Sequence, residues 1–347
     1  MSTVQLSRNS LPLRLRRALS RTLATTAASL AMATGSAIAA EPTKIVLSVA
    51  PTVLSSPFFV AKDKGYFAAA GLDVTIDTSL QNMAENLPLL AAGHFSIVGT
   101  SWGTSVFNAL SKDSLIRILA TQATMPETGK TPFSMMMSAK AFDAGDRTIA
   151  SLKGKKVAVI GMGGYAEYDV VSALTDAGLK PTEYELVQMG RNDVGPAISN
   201  GAVAAGWGAE PMPTLYEQRG IVKNLTNEAM RGRGPIVFLA NADFVKKHPD
   251  AAAAFLAVFL KTAKEIDAKG WSDAQLVEIV ARHTKLSPEV LKSVNMKIAP
   301  KTLEPDLKLA AEMEAYFGAK KLLTYPGTLK LTDYYSAPIV QKALAAQ

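Results

Sequence analysis

The sequence predicts an α/β fold: two successive βα modules closed by a helical tail. Three observations predict it. Short β-prone runs alternate with helical runs from residue 44 onward. The same rhythm restarts after a looser stretch at 121–132, and from Asp243 the pattern is mostly helical. No repeat at a fixed period of roughly 20–50 residues underlies it.

In the first module, residues 44–49, 73–76, 95–98 and 115–120 read as strands. Helices are predicted over 57–70, 85–92 and 104–111. Pro57 opens the first of these, and Gly71 and Gly93 stop the first and second. In the second module, strands are predicted at 134–138, 156–160, 183–187, 202–206 and 236–240. Its helices fall at 165–177, closed by Gly178, and at 194–200. In the tail, Pro249 starts a long amphipathic helix reaching Ala268, and Pro288 and Pro305 open further helices.

Composition narrows the function. Of 347 residues, 48% are hydrophobic and 19% charged, which suits a globular chain. The formal charge of +7 belongs mostly to the start. The first forty residues hold Arg8, Arg14, Arg16, Arg17 and Arg21 with no acid, and without those five arginines +2 remains. So small a charge leaves no footprint for nucleic acid or an anionic membrane. An Arg-rich start, an apolar run at 23–33 and small residues at Ala37 and Ala39 read as a signal peptide over 1–39, with cleavage before Ala40. Arg16-Arg17 leaves the export route open between the general and twin-arginine pathways. The longest later apolar stretch, 251–263, falls short of the about 20 residues that span a bilayer. With no cysteine there are no disulfides, thiolate metal sites, cysteine nucleophiles or lipidated cysteine. A freely diffusing periplasmic protein, active as a monomer, is the expectation.

Residues 57–67, running from Pro57 through Ala61 to Lys64-Gly65-Tyr66-Phe67, are followed by Gly71-Leu72-Asp73-Val74. This segment resembles the first helix and second strand of the sulfonate/nitrate/taurine-type substrate-binding proteins of ABC transporters. Three more stretches agree in order: residues 152–159, residues 197–205 followed by Gly208-Ala209-Glu210-Pro211, and residues 244–250 with Phe255-Leu256. The resemblance covers about 44–264. It implies a two-lobed periplasmic-binding-protein fold of type II with two crossover segments, placed near 131–138 and 230–237. It also implies a ligand held between the lobes, and transporter permease subunits as partners. Lobe one is then 40–132 with 236–347, and lobe two is 133–235.

Ligands of open α/β sheets sit beyond the carboxyl ends of strands, where helix N-termini present unpaired N–H groups. That rule selects Ser56, Thr100, Ser101, Trp102, Gly163, Gly164, Tyr165, Trp207 and Glu210. Arg191 follows a glycine after a strand and is a candidate anion clamp. Trp271, in the tail, reads as packing. Many relatives of the resembled family place Ser or Thr after the glycine that opens the first lobe-two helix. Here Gly163-Gly164-Tyr165-Ala166 offers a ring instead, so the ligand expected is a small organic molecule, anionic and with a flat or aromatic portion.

The sharpest rival is an exported NAD(P)-binding oxidoreductase. Residues 161–166 match the dinucleotide fingerprint G-x-G-x-x-G/A, with Glu183 or Glu185 about 20 residues on. Three histidines, His94, His248 and His283, stand outside any metal spacing, and no nucleophile elbow is present. Glu167 and Asp169, on one helix, face different sides. No catalytic constellation emerges, so the expectation is a binding protein without enzymatic activity, cofactor or metal. A pyrimidine-precursor binding or synthesis protein of thiamine metabolism shares the fold; its synthetic form is set aside because the chain reads as exported and lacks cysteine.

Overall fold

The computed structural model describes residues 41–79, 83–112, 115–294 and 296–347. The expected leader and its cleavage point lie outside the described residues. The chain runs β1 (Thr43–Ser48), α1 (Ser56–Asp63), α2 (Tyr66–Ala69), β2 (Leu72–Asp77), α3 (Met83–Ala91), β3 (Ile97–Ser101), α4 (Thr104–Lys112), β4 (Ile116–Ala123). After a passage at 124–132 come β5 (Phe133–Ser138), α5 (Ala139–Asp143), β6 (Lys156–Val159), α6 (Tyr165–Asp176), β7 (Glu185–Gln188), α7 (Val194–Ser199), β8 (Ala205–Ala209), α8 (Met212–Gln218) and β9 (Val222–Leu225). A second passage leads to β10 (Ile236–Asn241), α9 (Ala242–Lys247), α10 (Pro249–Lys269), α11 (Ala274–Thr284), α12 (Pro288–Val294), α13 (Leu307–Ala319) and α14 (Ala337–Ala345).

Two five-stranded mixed sheets result, ordered β2-β1-β3-β10-β4 and β7-β6-β8-β5-β9. In each, three strands pair in parallel, as β1 does with β2 and β3 and β6 with β7 and β8. In each, the fourth strand is antiparallel: β10 lies between β3 and β4, and β5 between β8 and β9. Those two strands are the ones that follow the two passages between sheets. The chain therefore enters each sheet's interior at the moment it crosses, which joins the sheets through two central strands. This is the α/β periplasmic-binding-protein architecture, with a helical C-terminal region.

Packing follows the apolar pattern. In α1, Phe58 to Ala61 are all buried, and the Phe58 ring stacks on Phe259 at 5.2 Å and Phe255 at 6.0 Å of α10. Burial of one such ring contributes about 2 kcal/mol. The predicted 57–70 helix is two helices, because Gly65 adopts the left-handed φ of 71° and breaks it. The helix expected at Pro305 starts at Leu307 instead, since Asp306 caps it by accepting from Leu309 N at 2.8 Å. Trp271 packs with Phe59, Leu276 and Val280 in the tail, and its indole N–H donates to the Met296 carbonyl at 2.8 Å. Among the described residues no helix is long and apolar enough to cross a membrane.

Candidate ligand-binding site

A cleft of about 500 Å³ lies where the carboxyl ends of the parallel strands of both sheets meet. The segment after β1 lends Ser55. The loop after β3 contributes Thr100, Ser101 and Trp102, and the loop after β6 contributes Gly163, Gly164 and Tyr165. From β8 and its end come Trp207 and Glu210. Eight of the nine residues selected from the sequence are thus gathered around one space.

Ser56 is the exception and does not line the cleft. It is fully buried in the first turn of α1, and its hydroxyl donates to the Val53 carbonyl at 2.6 Å. The backbone turn that starts the helix points it inward, and Ser55 lines the cleft instead. Trp207 is also placed differently. It sits within β8 rather than in a loop after it, because the strand runs on through Ala209.

The two sheets touch directly at the cleft. Gly103 and Gly164 form a bridge, and Thr104 N donates to the Gly163 carbonyl at 2.8 Å. Side chains are excluded there: a Cβ on Gly103 would come within 2.9 Å of the Gly163 carbonyl oxygen, and one on Gly163 within 2.7 Å of Thr104 Oγ1. Gly163 also has a φ of +76°.

Aromatic rings make the walls. Phe133, on the strand that enters the second sheet, stacks on Trp207 at 4.9 Å, and Tyr165 meets Trp207 edge-on at 6.4 Å. Trp102 is wholly buried and stacks on Phe107 at 5.9 Å.

The polar atoms between these rings are unusual. Among the described residues, seven buried side-chain nitrogen or oxygen atoms have no hydrogen-bond partner, and four of them belong to residues lining this cleft. They are Trp102 Nε1, Gln122 Oε1, the Tyr165 hydroxyl and Glu210 Oε2. Each such atom costs on the order of 1–3 kcal/mol, so native folds keep few of them. A neighbouring cavity of about 650 Å³, behind the 124–132 passage and lined by Asp267 and Trp271, holds none of the seven.

Charge is sparse in the cleft. Burial pushes the Glu210 carboxyl above its ordinary pKa, while the Lys130 ammonium at 3.2 Å and the Thr214 hydroxyl at 2.9 Å act to hold it down. Burial, and then the nearby Asp169 carboxylate, push the Tyr165 phenol far above its usual range. Arg191 lines the open side; protein crowding lowers its guanidinium, and among the described residues it has no ion-pair partner.

The glycine loop at 161–164 is occupied by its own helix. Gly163 N donates to Glu167 Oε2 at 2.6 Å, and Glu167 Oε1 accepts from Tyr316 at 2.8 Å and from Lys320. A carboxylate in that first turn fills the position that a pyrophosphate takes in dinucleotide folds. Glu183 and Glu185, the expected ribose ligands, pair instead with Lys153 at 2.7 Å and Lys156 at 3.6 Å. The fingerprint here is a strand-to-helix turn whose geometry the fold needs for itself.

Sequence reasoning passed over Gln122 and Phe133. Gln122 is a buried amide near the end of β4, a signal that was readable; a Cβ on Gly99 would run into its side-chain oxygen, so Gly99 makes room for it. Phe133 reaches the cleft only because β5 enters the second sheet beside β8.

The family profile described as NMT1/THI5 like matches residues 54–269, more than half of the chain and nearly all of both βα modules. The chain belongs to the NMT1/THI5-like family. Among curated NMT1/THI5-like relatives, the 4-amino-5-hydroxymethyl-2-methylpyrimidine phosphate synthase of Schizosaccharomyces pombe is 26% identical over 58% of this chain and 58% of its own length. A Saccharomyces cerevisiae protein of the same name, THI13, is 25% identical over 66% of this chain and 68% of its own. The matched segment therefore spans less than two thirds of the first of these relatives. Solved structures share the fold: the periplasmic aliphatic sulphonate binding protein SsuA of Escherichia coli has a TM-score of 0.72 at 17% identity, covering 86% of this chain and 99% of its own. The periplasmic nitrate-binding protein NrtA of Synechocystis gives 0.68 at 16%, covering 88% and 89%.

These findings correct one expectation. The NMT1/THI5-like relatives named as synthases are enzymes by name, so the lack of a metal cluster, triad or paired acids does not make this chain a non-enzyme. Motif searches of that kind find only chemistry carried by those groups.

Proposed function

We propose that this protein captures a flat, amine-bearing nitrogen heterocycle in the cleft, outside the cytoplasm, and delivers it to an ABC importer. The observation that carries this reading is the set of four unpartnered polar atoms inside an aromatic box. Glu210 Oε2 and Gln122 Oε1 accept, Trp102 Nε1 donates, and the Tyr165 hydroxyl does either. An aminopyrimidine supplies amine N–H groups for the two acceptors and ring nitrogens for the donors. Its flat face suits stacking on Trp207, worth on the order of 1 kcal/mol beyond its buried area. The relatives' printed product is such a ring, and Arg191 at the open side suits an anionic substituent on it. Nitrate and alkyl sulfonates offer no donor to Glu210 and leave the aromatic wall unused.

The lobes we assign as 40–132 with 236–347 and 133–235, moving about the two passages that join the sheets. The Arg-rich start and the likeness to periplasmic proteins support export. The site residues we assign are Thr100, Ser101, Trp102, Gln122, Phe133, Gly163, Gly164, Tyr165, Arg191, Trp207 and Glu210.

A second reading has its own support. The relatives' names attach synthesis of a pyrimidine phosphate to this family, and Glu210 and Tyr165 are titratable groups with free polar atoms in the cleft. Under that reading the same cleft carries chemistry on the ring.

A thermal-shift and calorimetric screen separates these readings. We expect 4-amino-5-hydroxymethyl-2-methylpyrimidine or its phosphate to raise the melting temperature in a concentration-dependent way, and nitrate and alkanesulfonates to leave it unchanged. Mass spectrometry of the bound fraction should return the heterocycle unaltered; a changed mass moves the assignment to the enzymatic reading. Micromolar binding of nitrate or an alkanesulfonate, with none of the pyrimidine, overturns the ligand class.

A further inference from the structure

Asp169 lies within α6, one turn past the cleft, and is almost fully buried. Its Oδ2 accepts from Trp207 Nε1 at 2.8 Å, and its Oδ1 accepts from Asn227 Nδ2 at 2.9 Å. The same Asn227 amide donates to the Asp169 carbonyl at 2.9 Å and to Ser172 Oγ at 2.7 Å. Asn227 Oδ1 in turn caps the 3-10 turn Glu228–Met230 through Ala229 N at 3.2 Å. That turn opens the passage returning the chain to β10. One carboxylate thus joins the cleft helix, the strand carrying Trp207, and the start of the second crossover.

Among the described residues no cation pairs with Asp169 in an ion pair. Tyr165 and Tyr168 flank it on its own helix, Trp207 faces it from β8 and Asn227 from the turn; Arg233, on the return passage, acts on both tyrosines. A buried carboxylate without a cation is costly, and burial raises this one to about 6. Its two partners explain why an acid stands there. Each oxygen meets an N–H donor, and only a carboxylate accepts on both sides; an amide must turn its own N–H₂ toward one of them. Trp207 needs such an anchor. Phe133 and Tyr165 pack against its ring without directional bonds, and the single indole N–H is the polar handle through which the ring's orientation is fixed.

We propose that Asp169 is a positioning residue that locks the Trp207 indole as the fixed wall of the cleft and ties it, through Asn227, to the second crossover. Its effect on affinity rests on the cleft being the ligand site; its effect on the indole does not.

The test uses the whole mature chain and two readouts. In ligand-free protein, the Trp207 indole N–H resonance is assigned from Trp207→Phe. We expect Asp169→Asn to shift it and speed its exchange with solvent. The resonance should also titrate near pH 6 in wild type and not in D169N. In the binding readout, with 4-amino-5-hydroxymethyl-2-methylpyrimidine as probe, D169N should lose about tenfold in affinity, the scale of one charge-assisted hydrogen bond. In a Trp207→Phe background, D169N should change affinity less than twofold. An unmoved indole resonance in D169N, or an equal loss of affinity with and without Trp207, overturns the proposal. A probe that fails to bind wild type counts against the proposed ligand, while the ligand-free resonance still decides the role of Asp169.

Discussion

At the scale of single residues, the cleft is built at a cost to stability, and that makes it testable without knowing the ligand. Tyr165→Phe removes a buried hydroxyl that has no close hydrogen-bond partner and only the Asp169 carboxylate nearby, so the stability of the ligand-free protein should change by less than about 1 kcal/mol. The same change should weaken binding of the aminopyrimidine probe roughly tenfold. Denaturant melts and calorimetry of one variant check both; a clear loss of stability would mean the hydroxyl is bonded in the fold rather than held for a ligand. The tryptophans should divide in the opposite way. Trp207→Ala should remove most of the affinity, whereas Trp271→Ala, deep in the tail core, should cost about 3–5 kcal/mol of stability and leave the affinity of the remaining folded protein unchanged. The buried acids give a pH signature. Asp169, raised to about 6, holds its proton more tightly when folded than when unfolded, as do Glu210 and Asp267, whose carboxyls burial also raises. Their linkage therefore makes stability rise as pH falls from about 7 toward 4, with Asp169 contributing up to about 3 kcal/mol. Glu167 and Asp306 act in the reverse sense. Burial raises both, but the hydrogen bonds of Glu167 with Lys320, Gly163 N and Tyr316, and of Asp306 with Arg233, Leu309 N and Gly234 N, together outweigh it and hold their pKa down, so the stability they confer is present above the ordinary carboxylate range and is lost as pH falls through it. We expect a stability maximum near pH 5 in a pH series of chemical melts, flattened on its neutral side in Asp169→Asn.

At the scale of elements, two glycine-bearing loops matter most. The loop between β3 and α4 and the loop between β6 and α6 meet through Gly103 and Gly164, with no room for a Cβ at Gly103 or Gly163. Gly103→Ala needs no unusual backbone angle, but its Cβ meets the Gly163 carbonyl, so it should push the two loops apart at a small cost in stability. We expect ligand affinity to drop at least tenfold with a melting temperature within a few degrees of wild type. Gly163→Ala should cost more, about 1–2 kcal/mol, because its φ of +76° disfavours any side chain. Comparable unfolding and binding for both variants would show that the loops do not act as a closing contact. Glu167 carries the element-level coupling in a different direction. From the first turn of α6 it reaches Tyr316 in α13 and Lys320 just beyond, so the tail helix braces the loop that forms the cleft's edge.

At the scale of the whole molecule, the architecture implies hinged motion. Two sheets are joined by two passages, and each passage feeds a central antiparallel strand that cannot slide without breaking its sheet. We therefore expect the bend to be confined to the linking residues and the sheets to move as rigid bodies. Small-angle scattering should show a smaller radius of gyration with a bound aminopyrimidine than without. Tight binding with no compaction would remove the hinge while leaving the ligand assignment in place. If the proposed ligand is right, the cleft's unpartnered atoms should be hydrated when the lobes part and paired with ligand when they close.

Sequence periodicity determined much of the local structure and pointed to most residues of the candidate cleft. The alternation of strands and helices, the proline starts and the glycine stops located every described strand but β9 and most helices, though not α5, α8, α11 or α14, because those signals act within a few residues. Loops at strand ends pointed to Thr100, Trp102, Gly163, Tyr165 and Glu210, because the placement of ligands beyond parallel strands is a property of the βα unit itself. Strand order was decided only in three dimensions. Nothing local marks β5 and β10 as the strands that exchange between sheets, and β9, with its sequence Val222–Leu225, is too short and too polar to stand out. Phe133 becomes a cleft wall only through that exchange, and Ser56 leaves the site because one turn of backbone aims it at Val53. The pairing of Asp169 with Trp207 and Asn227 spans 38 and 58 residues of chain. Hydrogen bonds over such separations depend on how the sheets pack, and packing is a property of the whole core, which no local pattern of residues encodes.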